Sequence, residues 1–152
     1  MCYEAFRTLA ERHGFPPDFA SPKQAAELLS GLLGHPRFYS VVAELGGRIV
    51  GSNFLDERST IAGLGPISVH PDVQNSRIGR ELMLAALERA RGRRAPGVRL
   101  LQTAYHNRSL SLYTKLGFDV REPIVTLQGP PDRRGDPGLR GQEGDGGRSR
   151  EL

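Results

Sequence analysis

Apolar positions recur at helical spacing in four stretches of the chain and at strand spacing in the segments between them. Tyr3, Phe6, Leu9 and Ala10 share one face of a helix over residues 2–13, which Gly14 and Pro16-Pro17 bring to a stop. Ser21-Pro22-Lys23-Gln24 reads as a helix start: serine caps, proline loses no hydrogen bond at the first position, and glutamine follows three residues after the cap. Ala25, Leu28, Leu29, Leu32 and Leu33 give that second helix a core face, and Gly34 with Pro36 ends it. Residues 38–45 and 48–55 read as two strands joined at Gly46-Gly47, a two-residue hairpin turn. Residues 62–69 read as a third strand. Ile78, Leu82, Met83, Ala86, Leu87 and Ala90 then share one side of a helix over 77–92, broken at Pro96-Gly97.

Residues 98–105 read as a strand. Asn107 is placed to cap a short helix carrying Leu110, Tyr113 and Leu116, with Gly117 as the residue that closes it. Residues 118–127 read as a last strand, interrupted by Pro123. Strands interleaved with helices predict an α/β fold, a mixed central sheet with helices on both faces.

Beyond Gln128 the pattern dissolves. The last 25 residues hold seven glycines and three prolines, and only Leu139 and Leu152 are apolar. Such a segment buries too little surface to offset its ordering entropy, so a disordered tail over 128–152 is expected behind one domain over 1–127. The tail carries five arginines and five acids, so the net charge of +4 belongs to the body. Its densest basic cluster is Arg89, Arg91, Arg93, Arg94 and Arg99. Cations at a helix end complement the dipole, and no aromatics interleave with them, which argues against a nucleic-acid surface.

The single cysteine, Cys2, excludes an intrachain disulfide and any multi-cysteine zinc site. Histidines 13, 35, 70 and 106 are scattered without metal-ligand spacing, so no metal is expected. No apolar run approaches the ~20 residues of a membrane span. The first residues lack the layout of a signal peptide, and a cytoplasmic protein without membrane partners is the expectation.

The candidate chemistry lies between the third strand and the helix over 77–92. The chain runs Val69-His70-Pro71-Asp72-Val73-Gln74-Asn75-Ser76-Arg77-Ile78-Gly79-Arg80. A strand, a short polar turn and a helix N-terminus make an anion site, because the first helical N–H groups have no intrahelical partner and the dipole adds positive potential. Gly79 leaves room for close approach, and Arg77 and Arg80 flank the turn. A phosphate or pyrophosphate suits it.

This stretch resembles the acetyl-CoA-binding segment of the GNAT-type N-acetyltransferases, Gln/Arg-x-x-Gly-x-Gly/Ala after a strand, read here as Gln74-Asn75-Ser76-Arg77-Ile78-Gly79. Arg77 replaces the first glycine of that pattern. A second segment, Asn107-Arg108-Ser109-Leu110-Ser111-Leu112-Tyr113-Thr114-Lys115-Leu116-Gly117-Phe118, resembles the family's closing Asn…Tyr-x-x-x-Gly-Phe signature, in the expected order with one strand between. The resemblance spans roughly residues 38–128. It implies a GNAT-like sheet here lacking the family's first and last strands, and a fragment of a longer or mis-framed reading is one explanation of that.

The resemblance also implies acetyl transfer from acetyl-CoA, as co-substrate, to an amine, a small molecule or a protein. Pyrophosphate would rest on Ser76, Arg77, Ile78, Gly79 and Arg80, with Gln74 opening the motif. The pantetheine arm would lie along backbone at Ile67 and Val69. Asn107 would contact the cofactor, and Tyr113 would return a proton to the leaving thiolate. The alternative for Tyr113 is packing on the helix face, like Leu110 and Leu116. If Arg77 needs a positive φ, arginine costs roughly 1 kcal/mol over glycine; otherwise its guanidinium can pair with phosphate. The base for the amine is open among His70, Glu57, His106 and ordered water. The competing reading is a non-catalytic module that binds acetyl-CoA weakly and acts as a homodimerisation unit or part of a tandem protein.

Overall fold

A computed structural model describes residues 1–125, and the tail expectation lies outside the described residues. Contacts group Met1–Asp119 as one unit; of the unit that begins at Val120, the residues described form no regular element. Helices α1 (Cys2–Arg12), α2 (Pro22–Gly34), α3 (Ile78–Gly92) and α4 (Asn107–Lys115) accompany strands β1 (Phe38–Leu45), β2 (Arg48–Asp56), β3 (Ala62–Leu64), β4 (Ser68–Val69) and β5 (Val98–Leu100).

Alternation along β2 decides the layers. On one face, Asn53 donates from Nδ2 to the Leu82 carbonyl of α3 at 3.2 Å, and Leu55 packs in a cluster with Met83 and Ala86. Gly51 shares that face, and a Cβ there would lie 2.8 Å from Leu82 Cδ1 and 3.1 Å from Ile78 Cγ2. On the other face, the Ser52 and Ser68 hydroxyls meet at 3.0 Å, and Ser68 reaches Met1 Sδ beside α1. The sheet therefore has α3 on one side and α1 on the other.

β1 and β2 form a long antiparallel hairpin closed at Gly46 and Gly47, both with positive φ as a two-residue turn requires. The far edge of β2 is shared. β3 pairs it at Leu55 and Asp56, and β4 pairs it at Gly51 and Ser52. β5 runs parallel to β3, from Ala62↔Val98 to Leu64↔Leu100. Five strands thus make a mixed sheet.

Several expected boundaries move. The strand over 62–69 is two pieces, because Gly65 turns to φ +122° and Pro66 has no N–H for a ladder. The strand over 98–105 stops at Leu100, and Leu101 is already 82% exposed. Asn107 is not the cap of α4 but its first residue; His106 takes the cap position, without a side-chain bond to the helix backbone. No strand forms over 118–125, where Asp119, Arg121, Glu122 and Pro123 remove both the apolar alternation and a ladder donor. Of the α2 face only Ala25 is buried, and Leu28 and Leu33 are exposed, since α2 packs mainly against α1 and β1. Cys2 is buried and its thiol is pushed up by burial, the setting of an inert side chain. No described helix is long and apolar enough to cross a membrane.

Candidate active site

The break between β3 and β4 opens the sheet. β5 pairs with β3 but not with β4, so beyond Leu64 the outer edge of β4 has no strand beside it among the described residues. The register says which backbone groups face that gap. His70 N–H donates to Val50 O at 2.8 Å, so His70 and Ser68 point their backbone groups at β2. Ile67 and Val69 point theirs outward. The Val69 carbonyl instead accepts Gln74 Nε2, at 3.1 Å.

The chain then enters the turn. Pro71–Val73 is one 3-10 turn, capped by His70, whose Nδ1 accepts the Asp72 N–H at 3.3 Å. Asn75 and Arg77 both adopt left-handed φ, +72° and +68°, on either side of Ser76 with negative φ. Alternating hands of this kind turn successive N–H groups toward one point, the geometry of an anion nest. The Ser76 hydroxyl donates to Val73 O and closes the turn. The first backbone bond of α3 joins Glu81 N–H to Arg77 O, which leaves the N–H groups of Ile78, Gly79 and Arg80 without an intrahelical partner. The Ile78 side chain packs over Gly51, so only its backbone is available to a ligand. A Cβ on Gly79 would meet Val69 Cγ2 at 3.7 Å and Leu112 Cδ2 at 3.8 Å, ordinary contacts. Protein packing therefore does not demand glycine at 79.

Arg108 is a residue the sequence reading passed over. From the first turn of α4 it reaches the nest, where Nη1 donates to Asn75 Oδ1 at 3.2 Å and Nη2 donates to Gln74 Oε1. Gln74 is thus held between the Val69 carbonyl and a cation. Its signal in the sequence was an arginine next to Asn107, which nothing local distinguishes from a solvated one.

α4 carries the remaining candidates. His106, Ser109 and Tyr113 follow at helical spacings of three and four, so they share a face. His106 Nδ1 lies 2.8 Å from Ser109 Oγ. Burial holds the His106 imidazole below its ordinary value, with Arg108 and His13 adding to that, so it is neutral near pH 7. Tyr113 is 8% exposed and belongs to the core cluster; burial raises its phenol and the Ser109 hydroxyl partly offsets the rise. Asn107 is exposed on the same helix end. Among the described residues, Gln102 Oε1 is the buried side-chain oxygen with no partner, while its Nε2 donates to His106 O at 3.3 Å. A buried acceptor left open costs about 1–3 kcal/mol unless something fills it.

Two proposed bases separate from this group. Glu57 is buried under Arg89 and Arg93, at 2.7 Å from each, and those cations hold its carboxyl below the usual range. It sits by the C-terminal end of α3, about 20 Å along the helix from the nest, and a carboxylate so paired is a poor base. His70 is engaged as the cap of the 3-10 turn.

The profile of the acetyltransferase (GNAT) family matches residues 3–118. The chain belongs to the GNAT acetyltransferase family. Solved structures share its fold. A transcriptional regulator from Bacillus halodurans C-125 matches at 18% identity and TM-score 0.66, over 85% of this chain and 91% of that one. IAA acetyltransferase from Bacillus cereus ATCC 14579 matches at 25% and 0.57, over 77% and 69%. Aminoglycoside N-acetyltransferase AAC(6')-Iy in complex with CoA matches at 17% and 0.60, over 71% and 87%. No curated protein sequence matches.

Proposed function

We propose that this GNAT chain transfers an acetyl group from acetyl-CoA to an amine by direct attack. The observation that carries the proposal is the open edge of β4 running straight into the nest at residues 75–77. The edge offers backbone groups of Ile67 and Val69 to the amides of a pantetheine arm, by addition of an extended ligand to a sheet edge. The nest and the first N–H groups of α3, from Ser76, Arg77, Ile78, Gly79 and Arg80, take the pyrophosphate. A protein with the same fold was solved in complex with CoA, which supports CoA as the carrier. Gln74 and Arg108 meet at the junction. In the free chain Gln74 occupies the Val69 carbonyl that the arm needs; when the arm enters, Gln74 leaves it and Arg108 becomes free to pair with phosphate. Asn107 and the open Gln102 oxygen supply polar groups to the bound molecules.

The reaction needs one proton removed and one delivered. The amine nitrogen attacks the thioester carbonyl carbon, the C–S bond breaks, and the electron pair leaves on sulfur. His106, neutral near pH 7, takes the proton from the amine, and Tyr113 gives one to the thiolate. The Ser109 hydroxyl lies between them and can pass a proton from imidazole to phenolate, which restores both groups. Most of the rate comes from holding amine and thioester together.

The test is release of free CoA thiol from acetyl-CoA across a panel of primary amines. Tyr113→Phe is expected to lower kcat at least tenfold with acetyl-CoA affinity and Tm little changed. A loss of Tm with kcat intact would assign Tyr113 to packing alone.

A further inference from the structure

The end of the sheet away from the nest carries a second basic site that acetyl transfer does not use. Residues 57–61 link β2 to β3, and residues 93–97 link α3 to β5. Between these connections lies a cleft of about 310 Å³, lined by Arg37, Arg58, Ser59, Thr60, Arg93 and Arg94 among others. The length of α3, about 22 Å, separates it from the nest, so one anion cannot touch both.

The charges around the cleft do not cancel. Glu57 is shared by Arg89 and Arg93, and Arg58 pairs with Asp56 at 2.7 Å. Arg37 points Nη2 at two neutral carbonyls, Glu57 O at 2.9 Å and Arg58 O at 3.1 Å, which orient its guanidinium without neutralising it. Arg94 has no ion-pair partner among the described residues. Counting Arg89 and Asp56, which pair with lining residues from behind, five guanidinium groups meet two carboxylates, a surplus of three positive charges at one place on a chain whose net charge is +4.

Helix capping does not account for that surplus. The end of α3 is already closed by backbone: Arg94 N–H donates to Arg91 O at 2.8 Å and Ala95 N–H to Ala90 O at 3.0 Å. In this closure Arg94 fills the left-handed position, φ +57°, where glycine is the low-cost residue. The arginine keeps a side chain on the cleft at a conformational cost that a glycine would not carry.

We infer that this cleft binds the phosphoryl group of a small phosphate monoester. Guanidinium forks match phosphate oxygens, a dianion answers more than one of them, and the Ser59 and Thr60 hydroxyls add neutral donors. The volume leaves room for the ester group beside the phosphate.

The test follows backbone amide shifts of the full chain during titration with inorganic phosphate, glycerol 1-phosphate and acetate. Saturable shifts are expected at Ser59, Thr60, Arg94 and Ala95, resolved from any at residues 76–80. Glycerol 1-phosphate should bind at least as tightly as inorganic phosphate, and acetate at least tenfold more weakly. Arg94→Gly should raise Tm, because glycine suits the left-handed turn, and yet weaken phosphate binding at least fivefold. Arg94→Gln, which keeps the side-chain length, should weaken it similarly. Shifts confined to residues 76–80, equal affinity in the variants, or exclusion of the ester would each overturn the assignment.

Discussion

Arg77 shows what a single residue can and cannot disturb. Its φ of +68° places it where glycine is preferred, so of the two readings open in the sequence the strained one holds for the backbone. The strain is present in the free chain, so ligand binding does not have to create it. Arg77→Gly is therefore expected to stabilise the fold by roughly 1 kcal/mol, a rise of a few degrees in Tm. Acetyl-CoA affinity should fall a few-fold, with a shallower salt dependence, because a guanidinium beside the pyrophosphate is lost. Tighter binding of the glycine variant would show instead that Arg77 obstructs the nest.

His106 makes a second prediction at this scale, in pH. Its folded pKa lies below the ordinary 6.5, so the unfolded chain binds more protons between the two values. Stability from this group is present above pH ~6.5 and is lost as pH falls toward the folded pKa. With His106 as the proposed base, acetyl transfer should fall along an acid limb with its midpoint below 6.5. His106→Asn should abolish that limb; a limb that survives the substitution would move the base elsewhere.

At the scale of elements, two glycines do different work. Gly51 lets α3 approach β2, and Gly51→Ala would press on Leu82, Ile78 and the Ser68 carbonyl, the last at 3.2 Å. We expect a loss of about 1–3 kcal/mol in thermal or denaturant unfolding. Gly79→Ala meets only ordinary contacts, so it should fold normally while acetyl-CoA affinity drops. Unchanged affinity would remove the need for close approach at 79.

The hairpin, α1 and α3 were legible because turn glycines, prolines and apolar periods all agree there. The strand over 62–69 was not, since Gly65-Pro66 lies inside an apolar run and reads as part of it. The strand beyond Leu100 failed for another reason: an edge with no partner strand does not extend, whatever its propensity.

For the molecule as a whole, the site was legible where it is contiguous in sequence and hidden where it is assembled by the fold. The turn at 74–80 announces itself by residue order. Arg108 becomes visible only when α4 meets the turn across more than thirty residues of chain, and the open oxygen of Gln102 only when the segment after β5 is buried beside α4. Glu57 shows the converse: a carboxylate near a strand end looked available until Arg89 and Arg93 closed over it.

The central claim is that the open β4 edge and the nest together hold acetyl-CoA. Its most direct test is a calorimetric titration of the folded chain with acetyl-CoA, set beside acetyl-pantetheine, which lacks the pyrophosphate. Saturable micromolar-range binding of acetyl-CoA is expected, with acetyl-pantetheine at least tenfold weaker. A folded chain that binds neither molecule would contradict the account and favour the non-catalytic module, and equal binding of both would contradict the pyrophosphate role of the nest.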